Sequence, residues 1–409
     1  MPRLTYEPSE GRMIIKQVIL KKDREKSVNN RHPWIFSGAI NRVEGDPENG
    51  EVVDVWNSRA RFIARGIYND KSQIRVRLLT WNPNDPIDEQ FWQRRISRAV
   101  AGRLALKQDQ NTDAYRVVYS EADGLPGFIA DVYGPWLVVQ FLSLAAEKNR
   151  RVILNTLVDL IEPQGIYERS DSDSRGQEGL VPVAGPVWGE VPPDLIEIVE
   201  NGHTFLVDVK MGHKTGFYLD QRENRQKAAK YFAGKEVLNA FCYTGGFSVY
   251  AAHAGATRII NVDSSERALQ IAEQNMLRNG FNGRDDLYSM ADVFDILRTY
   301  NDARWKLDTV ILDPPKFAFS KRNVEKATHG YKDINMLAMK LLKRGGVLIT
   351  FSCSGAVSRD LFQKVLFGAA VDAGRTVQII EQLSQGPDHP ILLTCPETEY
   401  LKGFVCRVW

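Results

Sequence analysis

Lys235–Asp263, KEVLNAFCYTGGFSVYAAHAGATRIINVD, decides the fold. EVLNAF has the length and apolar content of a buried strand. It runs into a loop with adjacent glycines, a helical pattern from Gly246, and a second apolar run, TRIINVD, that ends on an acid. The rhythm continues downstream: a helix over Ser264–Asn279, then DDLYSMAD, KLDTVILD, a helix through Lys340, and GGVLITFSC. Such alternation predicts the α/β class, a parallel sheet with helices on both faces. Ligands on these sheets bind outside the carboxyl ends of the strands, where nearly every unusual residue of this region falls.

The first strand end, Asn239–Gly246, offers Asn239, Phe241, Tyr243, Thr244 and Gly245 as cofactor-binding candidates. Its glycines let a ligand approach the backbone, and the helix that follows has free N–H groups. The loop lacks the full G-x-G-x-x-G fingerprint, and a plain tight turn explains it equally well. Asp263, 18 residues after Gly245, stands where a carboxylate reaches ribose hydroxyls, although it could equally cap the helix after it. Asp292 at the third strand end suits the exocyclic amine of an adenine. Loop, acid and acid fit a nucleoside-bearing cofactor without choosing between NAD and S-adenosylmethionine.

The fourth strand ends in Asp313-Pro314-Pro315-Lys316. Two prolines cannot extend a central strand, so they make a rigid exit that holds Asp313 at the sheet edge. The fifth ends in Thr350-Phe351-Ser352-Cys353-Ser354-Gly355, which puts a thiol at the mouth of the sheet among small residues. A cysteine is usually a small buried hydrophobe; here it is the candidate nucleophile, with Asp313 as its catalytic partner. A thiolate that adds to carbon 6 of a cytosine makes carbon 5 reactive. Asp313 would bind the N3/N4 edge and support the charge that develops there. Lys316 and Lys214 are candidates for contacting substrate and helping the thiol ionise.

Upstream, short β-rich runs from Ile14 to Thr80 read as a small barrel, followed by the turn cluster Trp81–Gln90 and a helical pattern near Phe91. Tyr115–Leu144 reads as a meander, the polar stretch Ser170–Gly179 as a flexible loop, and Ile196–Val209 as a hairpin turning at Asn201-Gly202. The domains are therefore placed at 1–85, 86–200 and 201–409. Arg31, His32 and Trp34 mix charge and aromatic rings as a nucleic-acid surface does, although such aromatics also serve as barrel core. The net charge of +2 hides an asymmetry, since residues 1–80 carry 15 Lys/Arg against 10 Asp/Glu. A basic front module suits a phosphate backbone.

With 43% hydrophobic and 25% charged residues, the composition is that of a globular protein, and no run of residues has the length of a membrane span. The N-terminus has no signal-type apolar segment, so a cytoplasmic location is expected. Four cysteines without C-x-x-C spacing argue against disulfides and a structural metal. Cys242, Cys395 and Cys406 are expected to be structural.

RHPWIFSGAI (Arg31–Ile40), EADGLPG (Glu121–Gly127), GHKTGFYLDQRENR (Gly212–Arg225), NAFCYTGGFSVYAA (Asn239–Ala252), DPPKF (Asp313–Phe317), HGYKDINMLA (His329–Ala338) and LITFSCSG (Leu348–Gly355) together carry a family resemblance. From end to end the chain resembles the bacterial 23S ribosomal RNA cytosine-5-methyltransferases of the large-subunit methyltransferase I type. That resemblance implies an N-terminal PUA β-barrel, a central α+β domain and a C-terminal Rossmann-like class I methyltransferase domain. It implies S-adenosyl-L-methionine as cofactor, held by the Cys242–Gly246 loop, Asp263 and Asp292, with Cys353 as nucleophile. It also implies that His213–Arg222 lines the cofactor and target-base pocket, with Tyr218, Asp220, Gln221 and Arg222 nearest. The partner would be 23S ribosomal RNA or a large-subunit assembly intermediate, with neither membrane nor metal; a homodimer is left open.

Two departures limit the transfer. Lys316 stands where many RNA enzymes of this chemistry have a second cysteine, and the final strands offer Lys402 where related uracil-5 enzymes have an acidic base. The base that removes the carbon-5 proton is left unassigned. A catalytically silent RNA-binding protein would not need Cys353, a base-amine methyltransferase would leave that thiol idle, and a nicotinamide oxidoreductase would leave the basic barrel unexplained.

Overall fold

The computed structural model describes residues 16–317 and 323–409. The extreme N-terminus, including Ile14, lies outside the described residues. β1 (Lys16–Leu20), β2 (Trp34–Phe36), β3 (Ile40–Glu44), β4 (Val52–Trp56), β5 (Phe62–Tyr68) and β6 (Ile74–Thr80) form one sheet in the order β2-β6-β5-β4-β1-β3. Period-two alternation turns Val53 and Val55 of β4 inward, onto Val18, Leu20, Ile35, Ala64, Val76 and Leu78.

The helix Glu89–Ala101 starts at Asp88, whose carboxylate accepts from the Phe91 amide at 2.8 Å. β7 (Ala114–Tyr119), β8 (Phe128–Tyr133) and β9 (Trp136–Phe141) are the expected antiparallel meander. The helix Arg150–Ile161 then crosses over, so β10 (Gly165–Ser170) runs parallel to β9, with β11 (Val183–Gly189) antiparallel beyond it. The stretch Ser170–Gly179 departs from expectation. Asp173–Glu178 is a 3₁₀ helix in which Arg175 and Glu178 are buried. Arg175 donates to Glu147 at 2.9 Å, and Glu178 accepts from Arg77 at 2.8 Å and Ser72 at 2.6 Å in the barrel. Its charges read as loop, but they are paired across the junction of barrel and central sheet.

β12 (Ile196–Glu200) and β13 (His203–Val207) form the expected hairpin, with Asn201 and Gly202 both at positive φ (50° and 79°), as a two-residue primed turn requires. β14 (Glu236–Ala240), β15 (Arg258–Asp263), β16 (Leu287–Met290), β17 (Leu307–Leu312), β18 (Leu342–Ser352), β19 (Val377–Ser384) and β20 (Lys402–Val408) build a seven-stranded sheet ordered β16-β15-β14-β17-β18-β20-β19. The first five are parallel and β20 is antiparallel to both neighbours. Strand order reverses between β14 and β17, which opens a crevice at their carboxyl ends.

Asp388 fixes the central sheet over that crevice. Its carboxylate accepts from both terminal nitrogens of Arg222 (3.0 and 3.2 Å) and from the Arg116 amide (3.0 Å), while its carbonyl accepts from Arg103 (2.9 Å). Among the described residues, no helix is long and apolar enough to cross a membrane.

Candidate active site

Directly after β14, Phe241 (φ 60°) and Tyr243 (φ 48°) both adopt the left-handed conformation. For an aromatic residue each costs about 1–3 kcal/mol, strain that persists only where surroundings enforce it. At Tyr243, Asp263 supplies the enforcement. One of its oxygens accepts from the Tyr243 amide at 2.8 Å and the other from the Ser265 amide at 3.0 Å. The helix after β15 is capped by Ser265, whose hydroxyl accepts from the Ala268 amide, so Asp263 is not its cap. Gly245 (φ 75°) closes the turn, and a Cβ there would lie 2.9 Å from that of Ala272.

These strand ends floor a cavity of about 350 Å³ lined by Phe241, Tyr243, Thr244, Asp263, Asp313, Lys316 and Cys353. Its roof is the segment after β13: His213, Lys214, Phe217, Tyr218, Asp220 and Gln221. The roof is pinned because the His213 and Tyr243 rings stack at 4.8 Å and the Tyr243 hydroxyl donates to the Gly216 carbonyl at 3.0 Å. Beyond Lys214, Tyr218 and Tyr400 a second cavity of about 530 Å³ extends to Arg116 and Arg169 on the central sheet. S-adenosylmethionine fits the first. Gly246 and Phe247 of the first helical turn line it, Asp263 is held at its rim, and the buried Thr244 hydroxyl has no hydrogen-bond partner among the described residues.

The chemistry-bearing pair stands on adjacent strands. β17 and β18 run parallel with Leu312 beside Thr350, which brings Asp313 and Cys353 into one cavity. The Cys353 sulfur lies 3.7 Å from the Pro314 carbonyl oxygen. Burial, and then the charge of Asp313, push this thiol up to about 12. Asp313 accepts from the Gln221 side-chain amide at 3.0 Å, and burial followed by the Asp220 charge raises its carboxyl to about 7. Asp220 in turn accepts from the Tyr400 hydroxyl at 2.5 Å. The site can therefore present a thiol and a carboxyl that is neutral or charged near pH 7 to one planar substrate.

Residues 18–81 match a PUA-like domain and residues 182–399 an S-adenosylmethionine-dependent methyltransferase. The ribosomal RNA large subunit methyltransferase I of Shewanella amazonensis is 51% identical over 96% of this chain and 99% of its own length. The chain belongs to the ribosomal RNA large subunit methyltransferase I family. The Escherichia coli K12 protein of that name is 47% identical over 96% of this chain and 99% of its own. Among solved structures, a protein from Streptococcus mutans described as a SAM-dependent methyltransferase superposes with a TM-score of 0.83, at 21% identity, over 96% of this chain and 100% of that one. SMU.776, solved with SAH, superposes at 0.84 with 21% identity, over 97% and 100%. Both show the shared fold. S-adenosylmethionine is the cofactor of this large subunit methyltransferase I family member, and the α/β class with a PUA-like barrel is observed.

Several residues singled out in the sequence stand elsewhere. Arg222 is buried against Asp388 and does not line the cofactor cavity. Asn239 lies beneath the loop, donating to Ser248 at 2.8 Å. Asp292 caps the helix Val293–Asp302, accepting from the Phe294 amide at 2.7 Å, and is not on the cavity wall.

At the barrel, the Trp34 indole donates to Glu121 at 2.9 Å and His32 faces Glu397 at 3.1 Å, so both half-buried side chains make contacts to distant parts of the chain. Arg31 stays at the surface, over the Trp81 ring at 5.3 Å. His32, Cys395 and Glu397 cluster closely enough to suggest a metal. However, the Trp34 amide donates to His32 Nδ1 at 3.2 Å, which leaves Nε2 protonated toward Glu397, the wrong state for a ligand. Phe217 and Tyr400 are cavity residues that the sequence did not single out; Tyr400 sits within YLKGF, next to the Lys402 already noted.

Proposed function

We propose that this chain methylates carbon 5 of a cytosine in 23S ribosomal RNA, with Cys353 as a covalent nucleophile. The observation that carries the reading is the shared cavity of Cys353 and Asp313 at adjacent strand ends, beside the strained loop suited to the cofactor. Relatives named for ribosomal RNA support the substrate class. Bound S-adenosylmethionine supplies an electrophilic methyl carbon. The Cys353 sulfur adds to carbon 6 of the ring, making a C–S bond and giving carbon 5 the electron density of an enamine. Asp313, poised near neutrality, holds the N3/N4 edge and hydrogen-bonds to the charge that develops there. Once carbon 5 carries its new substituent, loss of its proton restores the 5,6 double bond and breaks the C–S bond. The second cavity, lined by Arg116, Arg169 and Lys214 with Asp171 and Asp220 among them, is the approach that this reading gives the RNA strand.

The test is to incubate the wild type and Cys353→Ala with undermethylated ribosomal RNA and methyl-labelled S-adenosylmethionine, followed by nucleoside mass spectrometry. The reading expects 5-methylcytosine from the wild type and none from the variant. Another methylated base, or activity without the thiol, overturns it.

A further inference from the structure

Lys402 takes no part in the chemistry described so far, yet it is enclosed beside the thiol. On β20 it pairs in register with Ser352 of β18, the residue before Cys353. Its ammonium donates to the carbonyl of Ser354, the residue after Cys353, at 2.9 Å. Thus one residue braces the chain on both sides of the sulfur, by backbone pairing before it and by its ammonium after it. Lys402 is 2% exposed, and among the described residues no carboxylate comes within 4.0 Å of its nitrogen. An ammonium buried without a paired carboxylate is costly, and such groups concentrate at functional sites.

The charges around the pair are unevenly placed. Asp313 and Asp220 face the sulfur and oppose its ionisation, and Lys214 favours it from the roof. Tyr218 and Tyr331 also face it, kept as neutral phenols by burial. Burial brings Lys402 down to about 8, still cationic at neutral pH, with Glu399 and Cys353 favouring its charge and Arg359 and Lys316 opposing it. Cys353 lines the cavity and Lys402 does not, so the ammonium lies outside the space that substrate would fill.

We propose that Lys402 is a positioning residue for Cys353, fixing the Ser354 carbonyl and supplying the counter-charge against which the sulfur ionises. This rests on the reading of Cys353 as nucleophile. The thiol proton leaves to water through the cavity, and Lys402 stays an ammonium with no bond to it made or broken.

The experiment is iodoacetamide alkylation of full-length protein from pH 6 to 7.5, where Lys402 carries its charge, with Cys353 followed by peptide mass spectrometry in wild type, Lys402→Met, Lys402→Gln and Lys402→Arg. Thermal melts establish which variants are folded. Loss of the charge lowers the thiolate fraction and is expected to slow alkylation of Cys353 at pH 7 roughly tenfold, the change that a one-unit rise of the thiol would give. Lys402→Arg should stay near wild type. Should Lys402→Met fail to fold, the comparison of Gln with Arg separates charge from packing. Equal alkylation rates in charged and uncharged variants overturn the proposal. Because alkylation needs neither RNA nor methyl transfer, that outcome leaves the covalent reading standing; the latter is tested separately, by the products of wild type and Cys353→Ala.

Discussion

Asp313→Asn should make the protein more stable while abolishing methyl transfer, and the gain should depend on pH. Burial and the neighbouring Asp220 charge hold the Asp313 carboxyl up to about 7 in the folded chain, against about 3.9 when unfolded. Between those values the unfolded chain has given up its proton and the folded chain has kept it. The stability carried by this carboxyl is therefore complete below about pH 4 and declines until the folded group itself ionises near pH 7. At about 1.36 kcal/mol for each pH unit, wild type is worse off than a neutral residue by about 1.5 kcal/mol at pH 5 and about 4 kcal/mol at pH 8. Asparagine has the same shape and keeps an oxygen for the Gln221 amide that Asp313 now accepts at 3.0 Å. The melting temperature of the variant should exceed that of wild type by a margin that widens by roughly 5–10 °C between pH 5 and pH 8, using about 2–4 °C per kcal/mol for a domain of some 200 residues. Scanning calorimetry of both proteins at pH 5, 6.5 and 8 measures it. A variant that melts below wild type at pH 8, or a margin indifferent to pH, would show that Asp313 is ionised and well paired in the folded state, and the reasoning would be refuted.

Asp388→Ala strands the buried Arg222 and frees the Arg116 amide, and should cost about 3–5 kcal/mol in urea unfolding; a cost under 1 kcal/mol would mean that the junction is held elsewhere. Trp34→Phe keeps the ring but removes the indole donor to Glu121, so stability should fall by about 1–3 kcal/mol while RNA affinity at fixed salt stays put. Weaker RNA binding at unchanged stability would put Trp34 on the RNA face.

The parallel sheet was legible because its signals are local. Apolar runs of strand length, ending in Gly-Gly, Asp, Asp-Pro-Pro or Ser-Cys-Ser-Gly, place Asp263, Asp313 and Cys353 at strand ends whatever the rest of the chain does. What misled was charge whose partner lies far along the chain. Arg222 reads as a residue of the pocket segment, but its partner Asp388 is 166 residues away. Trp34 reads equally as a surface or a barrel-core aromatic, and the partner of its N–H, Glu121, lies 87 residues on. The Ser170–Gly179 stretch is equally polar in a loop and in a clamp, and only Arg77, 101 residues before Glu178, decides between them. Tyr400 belongs to the cavity because β20 runs antiparallel to β18 and brings the residues just before Lys402 alongside Cys353, a placement no local pattern announces.

The electrostatics of the cavity bear on when the nucleophile exists. With Cys353 pushed up to about 12 and Asp313 to about 7, the empty cavity favours a neutral thiol and a carboxyl near half-protonation at pH 7. Only about one thiol in 10⁵ would then be ionised, and a permanently exposed thiolate would react with any electrophile that entered. Protonation of Asp313 removes a negative charge facing the sulfur, and positive charge brought into the cavity lowers the cost of thiolate further. A base edge that holds Asp313 in its neutral form and a cationic cofactor beside the sulfur act in the same direction. On this account the buried carboxylate, which opposes the thiolate while the cavity is empty, ties ionisation of Cys353 to occupancy. Alkylation of Cys353 in wild type should accordingly speed up relative to Asp313→Asn as pH falls below 7, after correction for the thiolate fraction that pH alone dictates; a constant ratio from pH 6 to 9 would break the link between the two groups.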